Sequence, residues 1–346
     1  MVYHASYLLL IKNYLMDKIV FCNVSKRYND SYAVHDVSFS IREGESFVII
    51  GTSGCGKTTT LKAINRLIPL TKGEIMIDSK NILDYDPVEL RRSMGYVIQS
   101  IGLFPHMTIG RNIGIMPELI RWPQKKIRSR VNELLTMVGL EPDIYRNRFP
   151  AELSGGQQQR VGVARALALD PPIILMDEPF GALDPITREQ LQNEFLSLEH
   201  RIKKTIVFVT HDIFEAVKIA DTIAIMDRGK IIQIGTPKDI LESPANQFVR
   251  NFLGKHHFHL SLLLIRLEEF IKKEKREKVD FPDKDKYPSL SPDDTVLDAL
   301  NYLKNHESDI VPVKKADDET IEGWIKKTDI RDRIFEGFKR ERGGKQ

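Results

Sequence analysis

The chain has 346 residues, 42% hydrophobic and 29% charged, a composition that excludes an intrinsically disordered chain and leaves room for roughly two cored domains of a soluble protein. Its 51 basic and 48 acidic residues nearly cancel to +3, so charge makes no case for a nucleic-acid partner. Two cysteines, Cys22 and Cys55, are too few for a disulfide framework and fit a reducing cytoplasm, and no stretch reaches the roughly 18–20 apolar residues that cross a bilayer.

Residues 1–17 hold a short apolar run at Tyr7–Ile11 with no basic segment before it; they read as an N-terminal extension, with Met16 a second candidate start. Next come KIVFCNVSKRY (18–28), YAVHDVSFSI (32–41) and GEIMID (73–78), short β-like runs that predict a small antiparallel sheet. By contrast SFVIIG (46–51), IILMD (173–177), TIVFVT (205–210) and TIAIMD (222–227) are continuously apolar, as parallel strands covered by helices on both faces must be. Between the first two lies a mostly helical stretch, roughly 103–168. The fold class is therefore α/β, a parallel sheet with helices, interrupted by a helical subdomain and flanked by an antiparallel β subdomain.

GTSGCGKTT at 51–59 matches the phosphate-binding pattern G-x-x-x-x-G-K-[ST] and sits between an apolar strand and a helix-like run. Gly51, Ser53, Gly54, Gly56 and Thr59 belong to a backbone cradle for a β-phosphate, Lys57 adds a point charge, and Thr58 offers its hydroxyl to Mg²⁺. Cys55 fills a position where any small residue would serve. IILMDEP then brings Asp177 to a strand end, where its carboxylate can hold the metal, followed by Glu178 as a candidate base for an attacking water. LSGGQ at 153–157 raises a question. Ser154, Gly155 and Gly156, with Gln157 behind them, open a second helix suited to an anion, yet one nucleotide has one triphosphate to hold.

The ordered set of Tyr28, the loop at 51–59, Gln99 in GYVIQS, LSGGQ, Asp177-Glu178, ALD at 182–184 and His211 in VTHD resembles the ATPase subunit of an ABC transporter over about residues 18–254. The resemblance implies that Tyr28 stacks on adenine, that Gln99 couples metal and water to a membrane partner, that His211 reaches the γ-phosphate and that Asp184 links the two sites of a dimer. It also resolves the second cradle: ATP on Lys57 and Thr58 of one copy is capped by Ser154, Gly155 and Gly156 of another, in a head-to-tail homodimer that closes on ATP. The stretch MGYVIQSIGLFPHMTIGRNI (94–113) is similar to ATPases of importers, where a groove receives the permease; Leu103, Phe104, Met107 and Ile109 could line it, or could be core. With INRLIPLTKGEIMID upstream, the likeness is closest to uptake systems for glycine betaine, choline, carnitine or proline betaine. It implies a peripheral protein on the cytoplasmic face of the membrane, bound to permease subunits and only indirectly to a substrate-binding protein. Alternatives are an importer ATPase for another small solute such as an amino acid, a soluble ABC ATPase acting in translation or DNA repair, and a nucleotide-regulated module without turnover.

From about residue 255 the texture changes. HLSLLLIRLEEFIKKEKREK spaces Leu260, Leu263, Leu264, Leu267 and Ile271 as an amphipathic connecting helix, and DFPDKDKYPSLSPDD reads as a linker, giving a connecting segment over 255–289. Residues 290–335 predict a small β-α-β-β-α unit that resembles a single CBS module, with its apolar IVPV and the Thr328-Asp329 pair, and 336–346 form a basic tail. The module is expected to be regulatory, answering to ionic strength or an adenine nucleotide, or else to serve dimerisation or solubility.

Overall fold

The computed structural model describes residues 17–99, 102–181, 183–270, 289–292, 294–306, 308–314 and 321–332. The expected N-terminal extension, most of the linker and the basic tail lie outside the described residues. The chain divides into two compact units, 1–236 and 237–346.

In the first unit, β1 (Asp17–Tyr28), β2 (Ser31–Arg42), β4 (Lys72–Ile77) and β5 (Lys80–Asn81) form the expected antiparallel sheet in the order β2-β1-β4-β5. Its inner face carries Phe21 and Phe39, stacked at 4.3 Å, and Phe39 stacks in turn on Phe47 of β3 (Ser46–Gly51) at 5.0 Å. Offset aromatic pairs of this kind add to plain burial and tie the two sheets together.

The main sheet runs β10-β9-β3-β8-β7-β6, with β6 (Met94–Val97), β7 (Ile173–Asp177), β8 (Thr205–Thr210) and β9 (Thr222–Asp227) parallel to β3, and only β10 (Lys230–Gly235) antiparallel. Every residue of β3, β7 and β8 is buried, which is why these strands lack the polar alternation of a one-faced sheet. Helices α1 (Lys57–Ile64) and α2 (Pro87–Arg92) follow the first glycine loop and the antiparallel sheet. The helical subdomain comprises α3 (Ile109–Leu119), α4 (Gln124–Met137), α5 (Pro142–Tyr145) and α6 (Gly155–Ala166); α7 (Pro185–Ile202) and α8 (Ile213–Ile219) return to the core. In open parallel sheets ligands bind beyond the carboxyl ends of the strands. Here the ends of β3, β6, β7 and β8 deliver Gly51, Gln99, Asp177-Glu178 and His211 to one edge.

Of the groove candidates, Phe104 is exposed and Leu103 and Met107 are half-buried, but Ile109 is fully buried and its N–H donates to Arg148 O at 2.8 Å. Ile109 is core because it starts α3 beneath the turn at Arg148.

The second unit opens with α9 (Pro237–Glu242), α10 (Gln247–Leu253) and α11 (His257–Leu264). The amphipathic helix expected over Leu260–Leu267 stops at Leu264, and Ile271, its expected last member, lies outside the described residues. Ile265 is extended, Arg266 bridges to Thr295, and Leu267 sits in a 3₁₀ turn with its N–H on Asp294 O at 2.8 Å. Leu262 and Leu267 are drawn into one apolar cluster with Val296, Tyr302, Val311 and Ile325, and burial there outweighs helix continuation. This cluster belongs to α12 (Val296–His306) and the antiparallel pair β11 (Ile310–Lys314) and β12 (Ile321–Lys326). Leu290 pairs with Val313, and residues 327–332 are helical, so the β-α-β-β-α order holds. Among the described residues no helix is long and apolar enough to cross a membrane.

Candidate functional site

The glycine loop closes on itself because its backbone cannot admit side chains. A Cβ on Gly51 would lie 2.0 Å from Met226 O, and Gly56, at φ +113°, would place one 2.1 Å from Ala33 O. Gly54 has open space but a φ of +74°, a conformation that also favours glycine. Cys55 is buried, accepts Gly229 N–H on its carbonyl at 2.8 Å, and has its thiol pushed up by burial, so it packs rather than reacts.

Lys57 is 5% exposed, and its Nζ donates to the carbonyls of Gly51 (2.9 Å) and Thr52 (3.1 Å). No carboxylate pairs with it among the described residues. A buried ammonium whose hydrogen bonds go to carbonyls, with Asp177 acting on it only at a distance, is well suited to meet an anion. One residue on, Thr58 Oγ1 donates to Asp177 Oδ1 at 2.8 Å. Asp177 is 4% exposed, and burial raises its pKa above the ordinary carboxylate value against the opposing pull of that hydrogen bond. A hydroxyl and a buried carboxylate side by side are hard oxygen donors, the kind Mg²⁺ takes when phosphates complete its shell.

Glu178 follows with a left-handed φ of +44°, fixed by its N–H on Val209 O at 2.9 Å. This turns its side chain out of the sheet, where Oε2 accepts from Gln99 Nε2 at 3.2 Å and meets His211 Nδ1 at 3.1 Å. Strain of this kind at a strand end is stored where a side chain must be aimed. Ala33, Ser53, Gly54, Gly56, Lys57, Thr58, Thr59, Gln99, Glu178 and His211 thus line one cleft of about 480 Å³, a size suited to a nucleotide-sized ligand.

The remaining predicted residues lie elsewhere. Tyr28, at the end of β1, is 45% exposed with Lys26 Nζ 4.8 Å from its ring centre, and it does not line the cleft. Ser154 caps α6 in a reciprocal box: its Oγ accepts from Gln157 N at 3.3 Å, and Gln157 Oε1 accepts from Ser154 N at 3.0 Å. Ser154 and Gly155 are exposed, while Gly156 is buried with space for a Cβ only 2.7 Å from Thr187 Cγ2. Asp184 caps α7, accepting from Thr187 N at 3.1 Å, and that bonding lowers its pKa. Neither Ser154, Gly155, Gly156 nor Asp184 lines the Lys57 cleft, so within one chain the two cradles are separate.

The structure also adds groups the sequence did not single out. Tyr145 OH accepts from Gln157 Nε2 at 3.0 Å, holding the second loop from α5. Behind His211, the buried Glu215 accepts from Thr210 Oγ1 (2.5 Å) and Gln192 Nε2 (3.1 Å), and burial raises its pKa. Its sequence signal, an acidic residue in the first turn of a helix, is indistinguishable from an ordinary solvated charge.

Comparison with known proteins places this geometry. Residues 34–181 match the ABC transporter family model and residues 280–336 match the CBS domain. The choline transport ATP-binding protein OpuBA of Bacillus subtilis is 49% identical over 88% of this chain and 77% of its own length. The glycine betaine uptake system ATP-binding protein YehX of Escherichia coli is 45% identical over 85% and 93%. A solved dimeric ATP-binding cassette, in a post-hydrolysis state with ADP and Pi, is 38% identical with a TM-score of 0.57, covering 63% of this chain and 98% of that one. Identity and coverage of this extent show that the chain belongs to the ATP-binding proteins of the ABC transporter family, with a CBS domain in its C-terminal part.

Proposed function

We propose that this chain is the ATP-hydrolysing subunit that drives import of a quaternary amine, of the glycine betaine, choline or carnitine class, through a separate membrane permease. The hydrolytic half is carried by one observation: a buried Lys57, with no ion-pair partner among the described residues, lies in the same cleft as Glu178, which is itself held between Gln99 and His211. The transport half is supported by the names of the relatives, two of which serve choline and glycine betaine systems.

In this reading the triphosphate sits on the backbone N–H groups of 53–58, with Lys57 leaving its own loop carbonyls for phosphate oxygens. Thr58 and Asp177 hold Mg²⁺, which supplies charge neutralisation on the phosphates when bound. Glu178 takes the proton of the attacking water, Gln99 orients that water, and His211 donates toward the γ-phosphate. Tyr28 meets the adenine. The two cradles of one chain being separate supports a head-to-tail dimer, in which Ser154, Gly155 and Gly156 of the second copy close the site and Asp184 lies at the junction. The subunit then works at the cytoplasmic face of the membrane, and the C-terminal module tunes activity.

A pull-down from native membranes with tagged Glu178→Gln protein and ATP tests the transport half. Recovery of a multi-spanning permease with a quaternary-amine binding domain supports it. Recovery of ribosomal or DNA-bound proteins alone overturns it and leaves the hydrolytic mechanism standing.

A further inference from the structure

A second cavity, of about 320 Å³, lies away from the Lys57 cleft, between the end of α4, the middle of α6 and the outer half of α7. Its wall is largely apolar, with Val138, Val163, Phe180, Leu191, Phe195 and Leu198 among its residues. Polar side chains interrupt that wall, and two of them carry atoms without a partner among the described residues. Gln159 is 3% exposed, and its Nε2 has no hydrogen-bond partner among the described residues; the same holds for Nε of the neighbouring Arg160. Both unpaired atoms are donors. Such groups inside a protein normally find an acceptor, because an unmet buried donor costs the fold its full desolvation penalty.

The charge at the mouth points the same way. Arg160 is neutralised by Glu194, with Nη2 to Oε1 at 2.5 Å, whereas Arg201 donates only to the carbonyls of Ser197 (3.2 Å) and Met137 (3.3 Å). Arg201 therefore keeps a positive charge with no carboxylate partner among the described residues, beside an apolar chamber whose orphan groups need acceptors. We propose that this cavity is a binding site for a small carboxylate with an apolar body, such as a medium-chain acid. Its oxygens meet Gln159 and the arginines, and its tail lies on Val163, Phe195 and Leu198.

The position gives the site a lever. Leu191 lines the cavity and also faces Gly156, whose Cβ position lies 3.4 Å from Leu191 Cδ1. A ligand that fixes Leu191 therefore fixes α7 against the start of α6, where Ser154 and Gly155 form the second cradle. Occupancy is predicted to slow hydrolysis by restraining that cradle. This regulatory half rests on the function proposed above; the binding half does not.

The test uses the full chain without nucleotide and octanoate as probe, with binding followed by ligand-observed NMR. Saturable binding, weakened about tenfold by Gln159→Leu, supports the site, since that change removes the donor and keeps the volume apolar. Ser197→Trp, at an exposed position on the rim, should block entry without disturbing the core. Absence of saturable binding to the wild type overturns the proposal, as does equal affinity for octyltrimethylammonium or for Gln159→Leu. Hydrolysis is measured separately: a kcat lowered at least twofold by octanoate in the wild type but not in Gln159→Leu supports the lever, and an unchanged kcat overturns it. A wild type that binds octanoate yet hydrolyses no ATP would refute the ATPase reading and leave the binding result intact.

Discussion

Replacing Glu178 by Gln isolates the chemical step from the fold. The backbone at 178 stays where it is: its N–H bond to Val209 O does not involve the side chain, and Gln tolerates a φ of +44° as well as Glu does. Removing the charge relieves repulsion on buried Asp177, one of the causes that raise its pKa, so stability should not fall. What is lost is the carboxylate charge at Oε2, 3.1–3.2 Å from His211 Nδ1 and Gln99 Nε2: the amide oxygen that replaces it can still accept a hydrogen bond but cannot take a proton from water. A positioned general base contributes about 10²–10⁴ in rate, equal to about 3–5 kcal/mol of barrier. Phosphate release at saturating MgATP should therefore drop by that factor while the melting temperature of the nucleotide-free protein stays within about 2 °C. With ATP present, sizing should show a dimer that persists. A variant that keeps more than a tenth of wild-type turnover, or that elutes as a monomer with ATP, refutes the role given to Glu178.

Other outcomes follow from the same geometry. Asp177→Asn should raise the melting temperature of the nucleotide-free protein at neutral pH: a buried carboxylate with a raised pKa stabilises the fold only while protonated, so stability is lost as pH climbs from the ordinary carboxylate range through the raised value. The gain should vanish near pH 4 in thermal melts across pH, and hydrolysis should fall at every pH. Ser154→Ala removes the α6 cap and should cost about 1 kcal/mol in denaturant unfolding, with a larger proportional loss of ATPase activity. Phe208→Ala, at the fully buried centre of the Phe180–Phe195–Phe208 group, should cost about 3–5 kcal/mol, read as a lower midpoint in urea. Deleting 290–346 from a reconstituted transporter should abolish its activation by salt, measured as substrate uptake against ionic strength.

Much of this was legible in the chain because burial and backbone need leave marks on residue type. Continuous apolar runs marked β3, β7, β8 and β9, since strands covered on both faces cannot alternate. Glycines 51, 54 and 56 marked a loop that packs against Met226 O and Ala33 O or takes positive φ. The same logic failed where two burial schemes shared one pattern. Leu260, Leu264 and Leu267 fit a helical stripe, but Leu262 and Leu267 are taken by the C-terminal cluster, which breaks the helix at Ile265. Ile109 carries the same apolar signal whether it faces a partner or the core. Glu215 and Tyr145 stayed hidden because their roles depend on Gln192 and Gln157, partners set by tertiary packing.

The claim that the two cradles of one chain serve different nucleotides is tested most directly by mixing two inactive variants. Lys57→Ala removes the first cradle's charge. Gly155→Asp places a carboxylate in the second, at a position where a Cβ meets only Leu183 Cδ2 at 3.7 Å and the fold is spared. If each site joins Lys57 of one copy to Gly155 of the other, a mixed dimer regains one intact site, and random pairing should restore about a quarter of wild-type ATPase activity. A mixture as inactive as its components would contradict the composite site.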